Sequence, residues 1–199
     1  MITEKEDTMI LYHYSADSYQ GGSTLINDYK KQYQYAEPFI LALRQNMDIF
    51  KAAYYAAMYM GRELVSLNLR KYENYCKDAV EAVFEYVRET EFPELPGRLN
   101  CVYYCRTKEE ALSFLEDDCL ADGLFSKEQV KLLEVEVEEA RVRIYDQNFY
   151  NQAMEEIKRQ DFESVFTNAR KYYSLERTEE PLLEIIADGQ NRIIAEIQY

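Results

Sequence analysis

The chain has 199 residues and a formal net charge of −14, with 19 tyrosines, four cysteines, one histidine and no tryptophan. That length supports a sizeable core without metals or disulfides, and no run approaches the ~20 apolar residues of a membrane span. Such an acidic surface repels phosphate backbones, so general nucleic-acid binding is disfavoured and the plain reading is a solubilising surface.

The polar, acidic start from Met1 to Thr8 does not read as a signal peptide, so a cytoplasmic protein is expected. Met9 to Tyr14 reads as a first strand, and Gly21-Gly22-Ser23 breaks regular structure after it. Residues 28–35 read as irregular or as a short helix. Glu37 opens a strong helical segment, with Pro38 in its first turn, where the missing N–H costs nothing. Leu43, Met47, Phe50, Tyr54 and Ala57 continue it at helical spacing, and Gly61 is expected to interrupt it. A second helix is expected over about 70–88, on the stripe Tyr72, Cys76, Ala79, Val80, Val83 and Val87. The two together predict a pair of antiparallel helices inserted over about 37–90.

Phe92-Pro93-Glu94-Leu95-Pro96-Gly97 closes the helical region. Leu99 to Cys105 reads as a strand, and Thr107 with Glu110 forms a capping box for the helix after it. Leu132 to Arg143 reads as one long strand with a bend near Glu138-Glu139-Ala140. Its glutamates form a solvated face between Leu133, Val135 and Val137. Helical spacing returns at Ala153, Met154 and Ile157, and again over about 162–173. The last strands are expected over 181–187 and 192–198, joined by a hairpin at Asp188-Gly189-Gln190-Asn191. The whole predicts an α+β domain spanning residues 1–199, with the helical insertion between the first and second core strands.

Cys76, Cys101, Cys105 and Cys119 form no Cys-x-x-Cys pair, and a single histidine makes a Cys/His zinc site improbable. Reduced thiols and no metal are expected. Cys101 and Cys105 share a strand face as small hydrophobes.

Three segments carry chemistry. Leu11-Tyr12-His13-Tyr14-Ser15 ends the first strand, Val102-Tyr103-Tyr104-Cys105 precedes the capped helix, and Leu182-Leu183-Glu184-Ile185-Ile186 places one carboxylate among aliphatics. A carboxylate so placed needs a partner or a cleft. Taken in order, these segments resemble the His-Tyr-Glu pattern of ADP-ribosyltransferases, and the chain resembles a bacterial family of unknown function with such a core. The resemblance rests on the first strand and on residues 99–199, about half the chain. Tyr14 stands where many members carry glycine, Phe114 is the nearest aromatic to a second stacking tyrosine, and Leu182 stands where arginine-modifying relatives carry Glu or Gln.

The resemblance implies a split antiparallel sheet, NAD as substrate, and transfer of ADP-ribose to an unknown protein or small-molecule acceptor. His13 and Ser15 would hold the ribose, Tyr103 or Tyr104 would stack on nicotinamide, and Glu184 would stabilise positive charge developing on the ribose. His13 and Glu184 are then expected on neighbouring strands, facing one cavity. The alternative is a catalytically inactive relative serving as a protein-interaction module in phage, toxin or defence biology.

Overall fold

A computed structural model gives the structure of the chain, describing residues 7–16, 19, 21–25, 30–65, 69–120, 126–189 and 191–199. The fold is mixed α and β with antiparallel pairing. The chain divides into two compact units. The first comprises Met1–Asn27, Cys101–Ile144 and Glu184–Tyr199; the second comprises Asp28–Asn100 and Tyr145–Leu183.

The first unit is built on strands. The strands of the chain are β1 (Thr8–Ser15), β2 (Thr24–Leu25), β3 (Val102–Tyr104), β4 (Lys131–Glu138), β5 (Val142–Asp146), β6 (Leu183–Ala187) and β7 (Asn191–Ile197), of which only Tyr145, Asp146 and Leu183 fall in the second unit. One sheet has the order β1-β4-β7-β2 and the other β3-β6-β5. β4 alternates as its sequence predicts: Leu133, Val135 and Val137 are buried while the glutamates between them are half-buried. Leu11, Val102, Tyr104, Ile185, Ala187 and Ile193 join those aliphatics in one core cluster. One face of each sheet therefore lines a common core.

Two expectations about strands need correction. The long strand over 132–143 is two strands, because a short 3₁₀ turn at Glu139–Arg141 sends β4 and β5 into different sheets. The expected hairpin at 188–191 does not pair its flanking strands, since β6 pairs in one sheet and β7 in the other, and Gln190 lies outside the described residues. Gly189 does take a positive φ of 89° there, as turn chemistry requires. Local residues specify a turn but not whether its flanking strands pair with each other.

The second unit is helical. Over the expected insertion it has three helices: α1 (Lys30–Gln45), α2 (Met47–Val65) and α3 (Leu69–Glu91). Pro38 lies inside α1 rather than in its first turn. The helix also runs through Gly61, and the first break falls at Asn46, whose side-chain oxygen accepts the N–H of Ile49 to start α2. A short helix α4 (Lys108–Phe114) belongs to the first unit, with its capping box formed as expected. The second unit also contains α5 (Gln147–Lys158) and α6 (Phe162–Tyr173).

Many of the tyrosines are core residues of this helical unit. Tyr145 stacks on Tyr172 at 4.2 Å, and Phe84 meets both Tyr150 and Tyr172 edge-on at 5.4 Å. Cys76 and Cys101 are buried and Cys105 is half-buried, all as free thiols; the Cys119 side chain lies outside the described residues. No described helix is long and apolar enough to cross a membrane.

Candidate functional site

The three chemistry-bearing segments fall on β1, β3 and β6. β1 meets β3 at one bridge, where Tyr12 donates its N–H to the Cys105 carbonyl at 3.0 Å and Cys105 returns the bond at 2.8 Å. β3 in turn pairs with β6, with Tyr103 opposite Ile186 and Tyr104 opposite Ile185. The expectation that His13 and Glu184 stand on neighbouring strands gives way to this order, in which β3 lies between them.

His13 projects from β1 on the same side as Leu11 and Ser15, because side chains alternate along a strand. Its Nδ1 lies 2.8 Å from the main-chain oxygen of Tyr103. A carbonyl oxygen can only accept, so Nδ1 carries the proton. Burial lowers the pKa of His13, and the bond to Tyr103 offsets this in part. The ring is therefore neutral at neutral pH, and Nε2 presents a lone pair as an acceptor.

Aromatic rings surround this imidazole. Tyr104 approaches it edge-on at 5.9 Å, and Tyr14 lies parallel at 6.0 Å. Tyr14 also stacks on Phe114 of α4 at 5.7 Å. Tyr14 and Phe114 thus pack against each other. Tyr104 is buried and belongs to the core cluster, and its hydroxyl has no hydrogen-bond partner. Burial raises its pKa, with Cys101 adding to the effect. It remains a neutral phenol able to donate.

Tyr103 and Glu184 are half-buried and alternate to the other side of their sheet, away from Tyr104 and Ile185. Continuing the β3–β6 register by one residue sets Cys105 across from Glu184, and the bridge sets Tyr12 across from Cys105. Opposed residues on antiparallel strands share a face. A phenol, a thiol and a carboxylate therefore form one row over three strands.

The structure brings His13, the Tyr103 carbonyl and the Tyr104 ring together. It places Ser15 on the His13 side of β1, paired in register with Lys131. It sets Glu184 in the row with Tyr12 and Cys105. Sequence reasoning missed that row because period-two alternation links Tyr12 only to residues of its own strand; the bridge that aligns it with Cys105 is a tertiary feature.

The His13 imidazole offers an acceptor at Nε2, and the buried Tyr104 hydroxyl is a polar atom without a partner. Among the described residues no group of three or more His, Cys, Asp and Glu could hold a metal ion.

The fold thus defines an α+β protein with two antiparallel sheets bridged at Tyr12 and Cys105. At the level of families, residues 9–199 match the model described as Protein of unknown function (DUF2441), and the chain belongs to that family. No curated protein matches the chain.

Proposed function

We propose that this protein has an ADP-ribosyltransferase-like core that binds NAD and transfers ADP-ribose to an acceptor. The observation that carries this reading is the bond from His13 Nδ1 to the Tyr103 carbonyl. It ties the first motif to the second and sets the imidazole as a hydrogen-bond acceptor. Two antiparallel sheets meeting at one bridge also agree with the split sheet that the resemblance implies, with the three motifs on consecutive strands in the order β1, β3, β6.

NAD would supply a nicotinamide–ribose bond whose cleavage builds positive charge on the ribose. The chain's own residues would do the rest. His13 Nε2 accepts from a ribose hydroxyl, and Ser15 on the same side of β1 adds a second polar contact. Tyr104, whose ring meets His13, would offer that ring for stacking and its hydroxyl as a donor. Glu184 places a negative charge at the start of β6, where it would oppose the developing charge.

A second reading is favoured by a specific observation. Pleating sends Glu184 away from the Tyr104 side of its sheet, whereas His13 and Tyr104 meet. A catalytically inactive relative serving as a protein-interaction module agrees with that arrangement.

Calorimetry with NAD and a nicotinamide-release assay separate the readings. Transfer requires binding and release by the unaltered chain. His13→Ala should abolish binding, and Glu184→Gln should keep binding and lose release, because the carboxylate acts on charge present only in the transition state. Binding without release supports the second reading. No binding at millimolar NAD removes the transferase reading and leaves the interaction module.

A further inference from the structure

Within the helical unit, α3 and α1 border a cavity of about 350 Å³. Tyr35 of α1 and Asn74, Tyr75, Lys77, Asp78 and Glu81 of α3 line it. Asn74, Asp78 and Glu81 recur at helical spacing and so present one face.

The two carboxylates differ in what balances them. Glu81 is buried, and Arg98 meets it at 3.1 Å. That guanidinium also lies 4.0 Å from the centre of the Tyr150 ring and bonds the Tyr172 hydroxyl at 3.2 Å. Arg98 is thereby committed to the core. Asp78, one turn earlier on α3, is half-buried. Burial pushes its carboxyl up to about 6, with Lys77 pulling it down and Glu81 pushing it up. A carboxylate in this position is poorly compensated and gains from an arriving positive charge.

We propose that this cavity binds a small organic cation, an ammonium or guanidinium group on a short apolar stem. Asp78 is the charge partner, and Asn74 adds an amide acceptor beside it. The Tyr35 and Tyr75 rings offer apolar cover for the stem and a π-face for the cation. The volume lies near the lower end of the range for small-ligand pockets, which suits a ligand of side-chain size. A hard divalent ion is disfavoured, because Glu81 is already engaged by Arg98 and such ions take six or more oxygens. This proposal is independent of the reading of His13 and Glu184.

The groups facing Asp78 are Lys77, Glu81 and Tyr75 on α3, Tyr35 on α1, and Arg98 through its pair with Glu81. Asp78 is poised to titrate between neutral and mildly acidic pH. Binding should therefore weaken as pH falls through about 6.

The test uses the full chain, with calorimetry and amide chemical-shift mapping. Butylamine and N-acetyl-arginine amide are the two cation sources, and butanol is the neutral control. Saturable binding of at least one cation is expected, with shifts at residues 74–81 and none from butanol. The arm that saturates at lower concentration identifies the source as a free amine or an arginine side chain. Asp78→Asn, nearly isosteric, should weaken binding about tenfold or more, a loss of about 1.4 kcal/mol. Should that variant fail to fold, the pH series on the unaltered chain makes the same test. Equal binding by butanol, equal binding by Asp78→Asn, a pH-independent affinity or no saturation would each overturn the proposal.

Discussion

The carboxylate of Asp146 accepts both the main-chain N–H and the hydroxyl of Thr178, each at 2.7 Å. Its other oxygen accepts the N–H groups of Asn148 and Leu182, each at 3.1 Å. One fully buried side chain thus caps α5 and secures the segment that runs into β6. Removing it takes the acceptor from four part-buried donors at once. Asp146→Ala should destabilise the protein by about 3 kcal/mol, read by chemical denaturation. Burial raises the pKa of Asp146, but the bonds from Thr178, Asn148 and Leu182 outweigh that and leave it below the ordinary carboxylate value. The folded pKa is depressed, so this stabilisation is complete above the unfolded value of about 3.9 and is lost as pH falls through the folded one. The acid limb of the stability curve should flatten in Asp146→Asn.

His13 is the sole histidine, so its titration can be followed without assignment. Nitrogen chemical shifts should show a protonated Nδ1 and a bare Nε2 at neutral pH. The apparent pKa should lie below the ordinary value of about 6.5, because burial disfavours the cation. Below that value the unfolded chain binds the proton more readily, so stability should fall with pH through this window. A pKa at or above the ordinary value would contradict the buried, neutral assignment.

Arg98 and Glu81 form a buried pair inside an aromatic box. Arg98→Met strands Glu81, and Glu81→Leu strands Arg98; each should cost about 3–5 kcal/mol. The double substitution should recover much of that loss, because no buried charge is then left alone. Arg98→Lys should not rescue, since a lysine cannot bond both partners while lying flat over Tyr150. A double-mutant cycle in denaturant measures the coupling.

Gly189 holds a φ of 89°, and a Cβ built there would lie 2.9 Å from Cδ of Arg141. Gly189→Ala should therefore cost about 1–2 kcal/mol for the backbone conformation, measured as a lowered denaturation midpoint. The Arg141 contact should add little, because that side chain is exposed and can move. Ala substituted together with Arg141→Ala should recover only the smaller part.

Elements with strong local signals were legible in the sequence. The 162–173 helix, the capping box at Thr107 and Glu110, and the alternation of β4 all follow from patterns within one segment. What was not legible depends on partners distant in sequence. The residues around Gly189 specify a turn but are silent on β6 and β7 entering different sheets. Gly61 suggested a helix end, yet one residue of poor propensity costs only about 1 kcal/mol and neighbouring helical residues carry the helix past it. For the site, His13, Tyr103, Tyr104 and Glu184 could be named from motifs. The bond from His13 to the Tyr103 main chain, and the row that joins Tyr12, Cys105 and Glu184, required the register between strands.

The strand order has a consequence for how the chain is made. β4 is flanked by β1, formed near the start of the chain, and by β7, formed from its final residues. On the ribosome β1 emerges before α1, α2 and α3 and waits through the whole of them for its partner. Those helices can gather their own neighbours at once, because their contacts are local. The β1-β4-β7 sheet cannot close until Asn191–Ile197 has left the exit tunnel, and until then β4 has an open edge able to join another nascent chain. Synthesis halted before Asn191 should therefore yield helical, aggregation-prone product rather than a smaller folded protein.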